Sequence, residues 1–283
     1  MTAPEQSASQ PPQTVTLQWF GWTDRGKVRK NNEDSFLGLQ FDAREVRHLG
    51  RVGEDAMTNC DFAFAVSDGM GGALAGEYAS QIATEKITSL LPKSFQQRAT
   101  GMDAGFADVM EELFEKIHRA LAYLGSCYEE CAGMEATLTL CWLTPEWMYF
   151  GHIGDSRLYY LPAGSDTIKQ LSHDDTHVGW LFRNGKINER EARTHPRRNV
   201  LQKALGGSNQ FVDPQVGAVG FVPGDIFLLC TDGLTDGLYD HNLVDLLRGR
   251  EGIDPANPAR SLVEASLQQS GRDNTTALVI RVV

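Results

Sequence analysis

Apolar positions along this chain recur with two periods, and the switches between them outline the fold. Alternating or continuous apolar character marks short strands at 14–20, 35–39 and 62–66, the last an unbroken buried run. Two further runs, 136–143 and 147–153, flank Thr144-Pro145-Glu146, which predicts a hairpin turn. Strand character returns at 156–161, at 211–222 with breaks near Pro214 and Gly217, at 225–230 and at 275–283. Helical spacing takes over between these blocks. Residues 77–91 place Tyr78, Ile82, Ile87 and Leu91 on one stripe, and Pro92 is expected to end that helix. A longer helix over 102–123 aligns Val109, Met110, Leu113, Ile117 and Leu121, and shorter ones are expected at 242–247 and 258–269.

Residues 176–199 depart from both periods. They carry arginines at 183, 190, 193, 197 and 198 and little strand character. Asn188 followed by Glu191 predicts a helix start with a capping box, and Gly185 the end of the helix before it. The segment reads as a helical excursion bordering a site, its arginines as a solvated helix face. The element order is not the regular βαβα alternation of a doubly wound sheet. It predicts an antiparallel sheet system with helices outside, as a single domain over 15–283. Residues 1–14, rich in Pro, Gln, Ser and Thr, read as a disordered tail with neither the basic head nor the apolar stretch of a secretory signal.

Composition removes several function classes. A formal charge of −11 argues against a general nucleic-acid binder, which needs a basic face for phosphate backbones. No apolar run approaches the roughly 18–20 residues that span a bilayer, so no membrane partner is expected. The five cysteines are odd in number, and Cys141 and Cys230 sit inside apolar runs, which fits reduced thiols packed in the core of a cytoplasmic protein. Cys127 and Cys131 lie four apart, as on one helix face, and leave a minor opening for a redox or metal pair.

The chemistry lies in short acidic stretches scattered along the chain: Asn32-Glu33-Asp34, Asp68-Gly69-Met70-Gly71-Gly72, Gly154-Asp155-Ser156-Arg157, Thr231-Asp232-Gly233 and Arg272-Asp273-Asn274. In several of them an acid adjoins an apolar run. A carboxylate there is costly unless something cationic meets it, so together they point to shared divalent cations. Oxygen ligands suit Mg²⁺ or Mn²⁺ better than zinc. Two cations about 4 Å apart can lower the pKa of a shared water for in-line attack on phosphorus. Arg29, just before the first cluster, can hold two phosphate oxygens through parallel hydrogen bonds, or serve a basic turn paired with its own acids.

Taken in order, these segments resemble the PPM (type 2C) family of metal-dependent protein serine/threonine phosphatases. The matching pieces are Thr23-Asp24-Arg25-Gly26 with Arg29 and Asn32-Glu33-Asp34; Asp68-Gly69-Met70-Gly71-Gly72; Gly151-His152-Ile153-Gly154-Asp155-Ser156-Arg157; Leu205-Gly206; Asp232-Gly233; and Asp273-Asn274. The methionine after Asp68-Gly69 looks more like the bacterial stand-alone branch. The resemblance implies a four-layer αββα sandwich of the α+β class: two antiparallel sheets face to face, helices outside, and a helical flap at about 176–199. It implies two Mn²⁺ or Mg²⁺ ions and a weaker third. Asp68 would bridge the pair, with the Gly69 carbonyl on the second ion and Asp232 and Asp273 on the first. Asp155 with Asp232 would form the third site, Glu33 and Asp34 would orient waters, and Arg29 would bind the substrate phosphate.

Met70 stands where eukaryotic relatives have a histidine proposed as general acid, so no general acid is named. His152 is expected to be structural. Asp174-Asp175 stands where the family often has Asp-His, and 133–137 replaces a Gly/Ser/Thr-rich stretch. The expected activity is hydrolysis of phosphoserine and phosphothreonine in proteins, in a monomer working opposite a cognate serine/threonine kinase. The alternatives are a non-catalytic regulatory module of the same fold and a phosphatase for small phosphorylated metabolites.

Overall fold

A computed structural model describes residues 15–42, 44–71, 75–99, 105–208, 212–250 and 256–283, with the backbone alone at 93–99. The disordered tail expected at 1–14, Gly72, the expected helix start at 102 and Phe211 lie outside the described residues. Two antiparallel sheets form the centre. The first comprises β1 (Thr16–Asp24), β4 (Val52–Ala56), β9 (Arg157–Leu161), β10 (Lys169–Gln170), β13 (Ile226–Cys230) and β14 (Thr275–Val282), in the order β10-β9-β13-β14-β1-β4. The second comprises β2 (Asp34–Phe41), β3 (Val46–His48), β5 (Asp61–Met70), β6 (Glu135–Ala136), β7 (Leu138–Leu143), β8 (Trp147–Ile153), β11 (Leu205–Gly206) and β12 (Gln215–Gly220). Its path is β11-β6-β5-β7-β8-β12, with β2 joining β5 to β3.

The strand period of two explains the layers. On β5, Phe62, Phe64 and Val66 point into the core between the sheets, where they meet Phe227, Leu229, Leu278 and Ile280 of the other sheet. Ala63 and Ala65 point the opposite way, against α1 (Ala75–Ala99) and α2 (Phe106–Cys127). Their small side chains let the helices lie close to the sheet. The outer face of the first sheet carries Phe20, Tyr159, Leu228 and Val279. These pack against α5 (Asp232–Gly237), α6 (Asp240–Leu247) and α7 (Pro258–Gln269). The result is the expected αββα sandwich. The run at 62–66 carries no polar break because both of its faces are buried.

Several boundaries differ from the sequence expectation. The first helix does not stop at Pro92 but continues to Ala99 with the proline inside it. A proline removes one hydrogen bond; Ile87 and Leu91, both fully buried, tie the preceding turn to the core. The exposed strand β3 and the half-buried β4 have no apolar pattern to announce them. Around 176–199 the helices are α3 (His177–Arg183) and α4 (Glu189–Thr194), the latter opened by the expected Asn188–Glu191 capping box. Gly185 follows α3 with φ of +64°, in the left-handed region that glycine adopts most easily.

Candidate metal centre

The acids arrive from both sheets. Asp68 lies inside β5, paired across to Asp34 at the start of β2. Asp155 occupies the turn between β8 and β9, Asp232 opens α5 with one residue between it and β13, and Asp273 lies two residues before the start of β14. Arg29, Glu33, Asp68, Gly69, Asp155, Asp232 and Asp273 line one cavity of about 430 Å³, together with Lys30, Asn31, Met70, Gly71, Asn199, Leu201 and Asn274. Asp34 does not line it. It is buried beside Asp68, and its Oδ2 accepts hydrogen bonds from Thr231 (2.8 Å) and Thr276 (2.7 Å).

Short-range packing holds this arrangement. The Asn274 side chain accepts from the Glu33 amide (2.8 Å) and donates to the carbonyls of Arg25 and Asn31, both at 2.9 Å. It thereby fixes the loop carrying Arg29 and Glu33 against β14. Two glycines are required by close approach. A Cβ on Gly26, whose φ is +78°, would lie 2.3 Å from the Asp273 carbonyl oxygen, and one on Gly69 would lie 1.8 Å from that of Gly76. Any larger residue would push these segments apart.

Electrostatics separates this cluster from ordinary surface acids. Burial, and then the charges of Asp34, Asp232 and Asp155, push the Asp68 carboxyl well above its usual range. Burial and the neighbouring Asp155 and Asp236 do the same to Asp232. Asp34 and Asp155 are each raised to about 7, chiefly by burial. Glu33 also rises through burial, although Arg29 opposes the shift. Among the described residues, Asp34 Oδ1 and Asp232 Oδ1 are buried without a hydrogen-bond partner. Arg29 Nη2 donates to Asp273 Oδ2 at 2.7 Å, an exposed contact at the cavity rim.

Such a cluster is self-repelling, and a cation is the group that would offset it. The donor set is oxygen throughout, with two buried oxygens unpartnered, which fits a hard divalent ion. Among the described residues no three His, Cys, Asp or Glu side chains already meet as a closed metal cage. The acids ring the cavity instead.

Sequence reading missed the residues that tie the site together. Asn199 and Leu201, at the exit of the 176–199 excursion, line the cavity without any acidic or glycine signal to mark them. The arginines of the excursion are also less solvated than expected. Arg193 donates to the carbonyls of Thr235 (2.6 Å) and Leu238 (2.8 Å) and lies 3.8 Å over the Tyr239 ring. Arg198 pairs with Asp236 at 2.7 Å, and Arg183 donates to the Asp174 carbonyl at 2.8 Å. Three of the five therefore fasten the excursion to the body. His152 is fully buried, its ring nitrogens 2.8 Å from Thr139 Oγ1 and 3.1 Å from the Gly154 carbonyl oxygen. Burial depresses its pKa, and both ring nitrogens are taken up within the fold. All five cysteines are free, with Cys141 and Cys230 buried as expected.

Comparison with known proteins agrees with this architecture. Residues 44–270 match the family model described as Protein phosphatase 2C. The chain belongs to that family. It is 32% identical over 274 residues to the serine/threonine protein phosphatase PstP of Mycobacterium tuberculosis, covering 95% of this chain and 46% of that protein. The chain thus spans about half the length of that relative. It is 27% identical over 259 residues to the serine/threonine phosphatase stp of Listeria welshimeri, covering 91% of this chain and 93% of that one. Among solved structures it resembles the PstP catalytic domain in complex with two manganese ions, at 30% identity and a TM-score of 0.73 over 95% of this chain and all of that one. The serine/threonine phosphatase of S. agalactiae shares the fold, with a TM-score of 0.76, 24% identity and coverage of 94% and 100%.

Proposed function

We propose that this chain is a Mn²⁺- or Mg²⁺-dependent protein phosphatase acting on phosphoserine and phosphothreonine. The observation that carries the reading is the ring of carboxylates from separate segments around one cavity, with Asp232 Oδ1 in its wall buried and without a hydrogen-bond partner. Family membership and the manganese ions held by the related PstP domain support it. When bound, the cations would supply an activated water and offset charge on the phosphoryl oxygens. Asp68, the Gly69 carbonyl, Asp232 and Asp273 would hold two ions, and Asp155 with Asp232 a third. Glu33 and Asp34 would orient solvent.

Arg29 binds the ester phosphate in this reading. About half of its side chain is exposed, and one nitrogen engages Asp273, so its other N–H groups can serve two phosphate oxygens. Met70 has no proton to give, so the departing serine or threonine oxygen takes its proton from solvent in the cavity. The protein's own part is positioning and electrostatics. The catalytic unit is residues 15–283, with 176–199 as its flap. Its substrates are made by a serine/threonine kinase, and the protein works as a monomer in the cytoplasm. Among the described residues no helix is long and apolar enough to cross a membrane.

Hydrolysis of a phosphothreonine peptide and of a panel of small phosphate esters, with EDTA or added Mn²⁺, tests this. Manganese-dependent release from the peptide is the expected result. Preference for the small esters would favour a metabolite phosphatase, and no release from any substrate by folded, manganese-loaded protein would favour a binding module.

A further inference from the structure

Thr137 stands at the single-residue break between β6 and β7, and its contacts reach two acids that are far apart in sequence. On one side it meets Asp68. The Thr137 amide donates to the Asp68 carbonyl at 2.9 Å, and the Asp68 amide donates to Thr137 Oγ1 at 2.9 Å. In a regular antiparallel pair that second bond would go to the Thr137 carbonyl. Here the carbonyl instead accepts from Ser67 Oγ at 2.6 Å, so the side chain has replaced the main chain in the ladder.

On the other side Thr137 meets both neighbours of Asp155. Its Oγ1 lies 2.7 Å from Ser156 Oγ, a hydrogen bond between two fully buried residues. Gly154, with φ of +109°, lies so close that a Cβ would sit 2.5 Å from Thr137 Cγ2. One hydroxyl therefore accepts from the backbone of Asp68 and hydrogen-bonds to the hydroxyl of the residue after Asp155.

We propose that Thr137 is a positioning residue: its hydroxyl sets the spacing between Asp68 and the Asp155 turn, and so the affinity of the cavity for divalent cations. The proposal rests on the metal-dependent reading above. Threonine suits the role because its hydroxyl can accept and donate together while its methyl fills the space over Gly154. Groups that orient metal ligands without touching the metal commonly change affinity or activity by about 10–100-fold when removed.

The test is a calorimetric Mn²⁺ titration of the EDTA-stripped wild type, Thr137→Val, Thr137→Ser and Ser156→Ala, with steady-state kinetics on a phosphothreonine peptide alongside. Thr137→Val keeps the shape and loses the hydroxyl. Its Mn²⁺ Kd should rise about tenfold or more, and kcat should fall comparably with KM little changed. Thr137→Ser keeps the hydroxyl and loses the methyl, and should bind Mn²⁺ within about threefold of wild type. Thr137→Val binding as tightly as wild type would overturn the proposal, as would Thr137→Ser binding as weakly as Thr137→Val. If Thr137→Val does not fold, Ser156→Ala breaks the same bridge from the other end. Weakened Mn²⁺ binding there supports the proposal, and unchanged binding overturns it. A wild type that binds no Mn²⁺ would instead remove the metal reading itself, and this proposal with it.

Discussion

Two acidic groups flank Asp155, and they behave in opposite ways. On one side, Asp68 and Asp232 face other carboxylates, and their pKa values are driven well up by burial and mutual repulsion. On the other, Asp174 is poorly exposed yet sits below the usual carboxylate range. Burial alone would raise it, but the Arg157 charge and hydrogen bonds outweigh that cost. Arg157 reaches both Asp174 oxygens, Nε to Oδ1 at 2.9 Å and Nη2 to Oδ2 at 2.6 Å. A buried acid with its cation in the sequence holds structure. Buried acids with no cation in the sequence are placed to take one from outside.

The contrast can be broken from either side. Asp232→Asn should lower manganese-dependent turnover on the order of a thousandfold, as loss of a key electrostatic group in an active site does. The fold should be intact by circular dichroism, and the metal-free variant should melt no lower than wild type, because a repulsive charge has gone. Arg157→Met should act on stability. Removing one partner strands the Asp174 charge and should cost about 3 kcal/mol in a urea titration, even with metal present. Arg29→Ala should raise the peptide KM about tenfold, consistent with one charge-assisted phosphate contact. An unchanged KM and kcat would remove Arg29 from the site.

The pH dependence should also divide the acids raised by burial from Asp174. Asp34 and Asp155, at about 7 in the folded chain, have ordinary values near 4 when unfolded. Between those limits the folded state holds more protons, so their contribution favours folding at lower pH and is lost as pH rises through 7. Asp174 has the opposite sign: its contribution is present above its ordinary value and is lost as pH falls through the depressed one. In EDTA, the melting temperature should therefore rise as pH falls from 8 to 6.5, and rise less in Asp155→Asn. Buried His152 opposes the trend only nearer its own ordinary value. Equal slopes in the two proteins would contradict the assignment.

The sequence carried this contrast only in part. The carboxylates were legible because acids beside apolar runs are costly, and the fold because the runs at 62–66, 136–143 and 225–230 contain buried strands. Their partners were not legible. Nothing local says that Arg157, at the start of β9, will meet Asp174 beyond β10, or that Arg193 will bond to the main chain around α5 and Arg198 to Asp236. Those contacts depend on sheet registry and docking. The short helix α5 was hidden because Asp232-Gly233 reads as a turn after a strand. The helix through Pro92 shows tertiary packing overriding a local stop signal. Thr137 was hidden for a different reason. Its hydroxyl matters only because β5 and the β8–β9 turn converge on it.

The most direct test of the account is a calorimetric titration of Mn²⁺ into EDTA-stripped wild type, Asp232→Asn and Asp174→Asn, each shown to be folded. Wild type and Asp174→Asn should bind Mn²⁺ with similar affinity, while Asp232→Asn should lose at least one site. If Asp232→Asn bound as wild type does, or if Asp174→Asn lost the ion instead, the unpaired carboxylates would not be the metal centre.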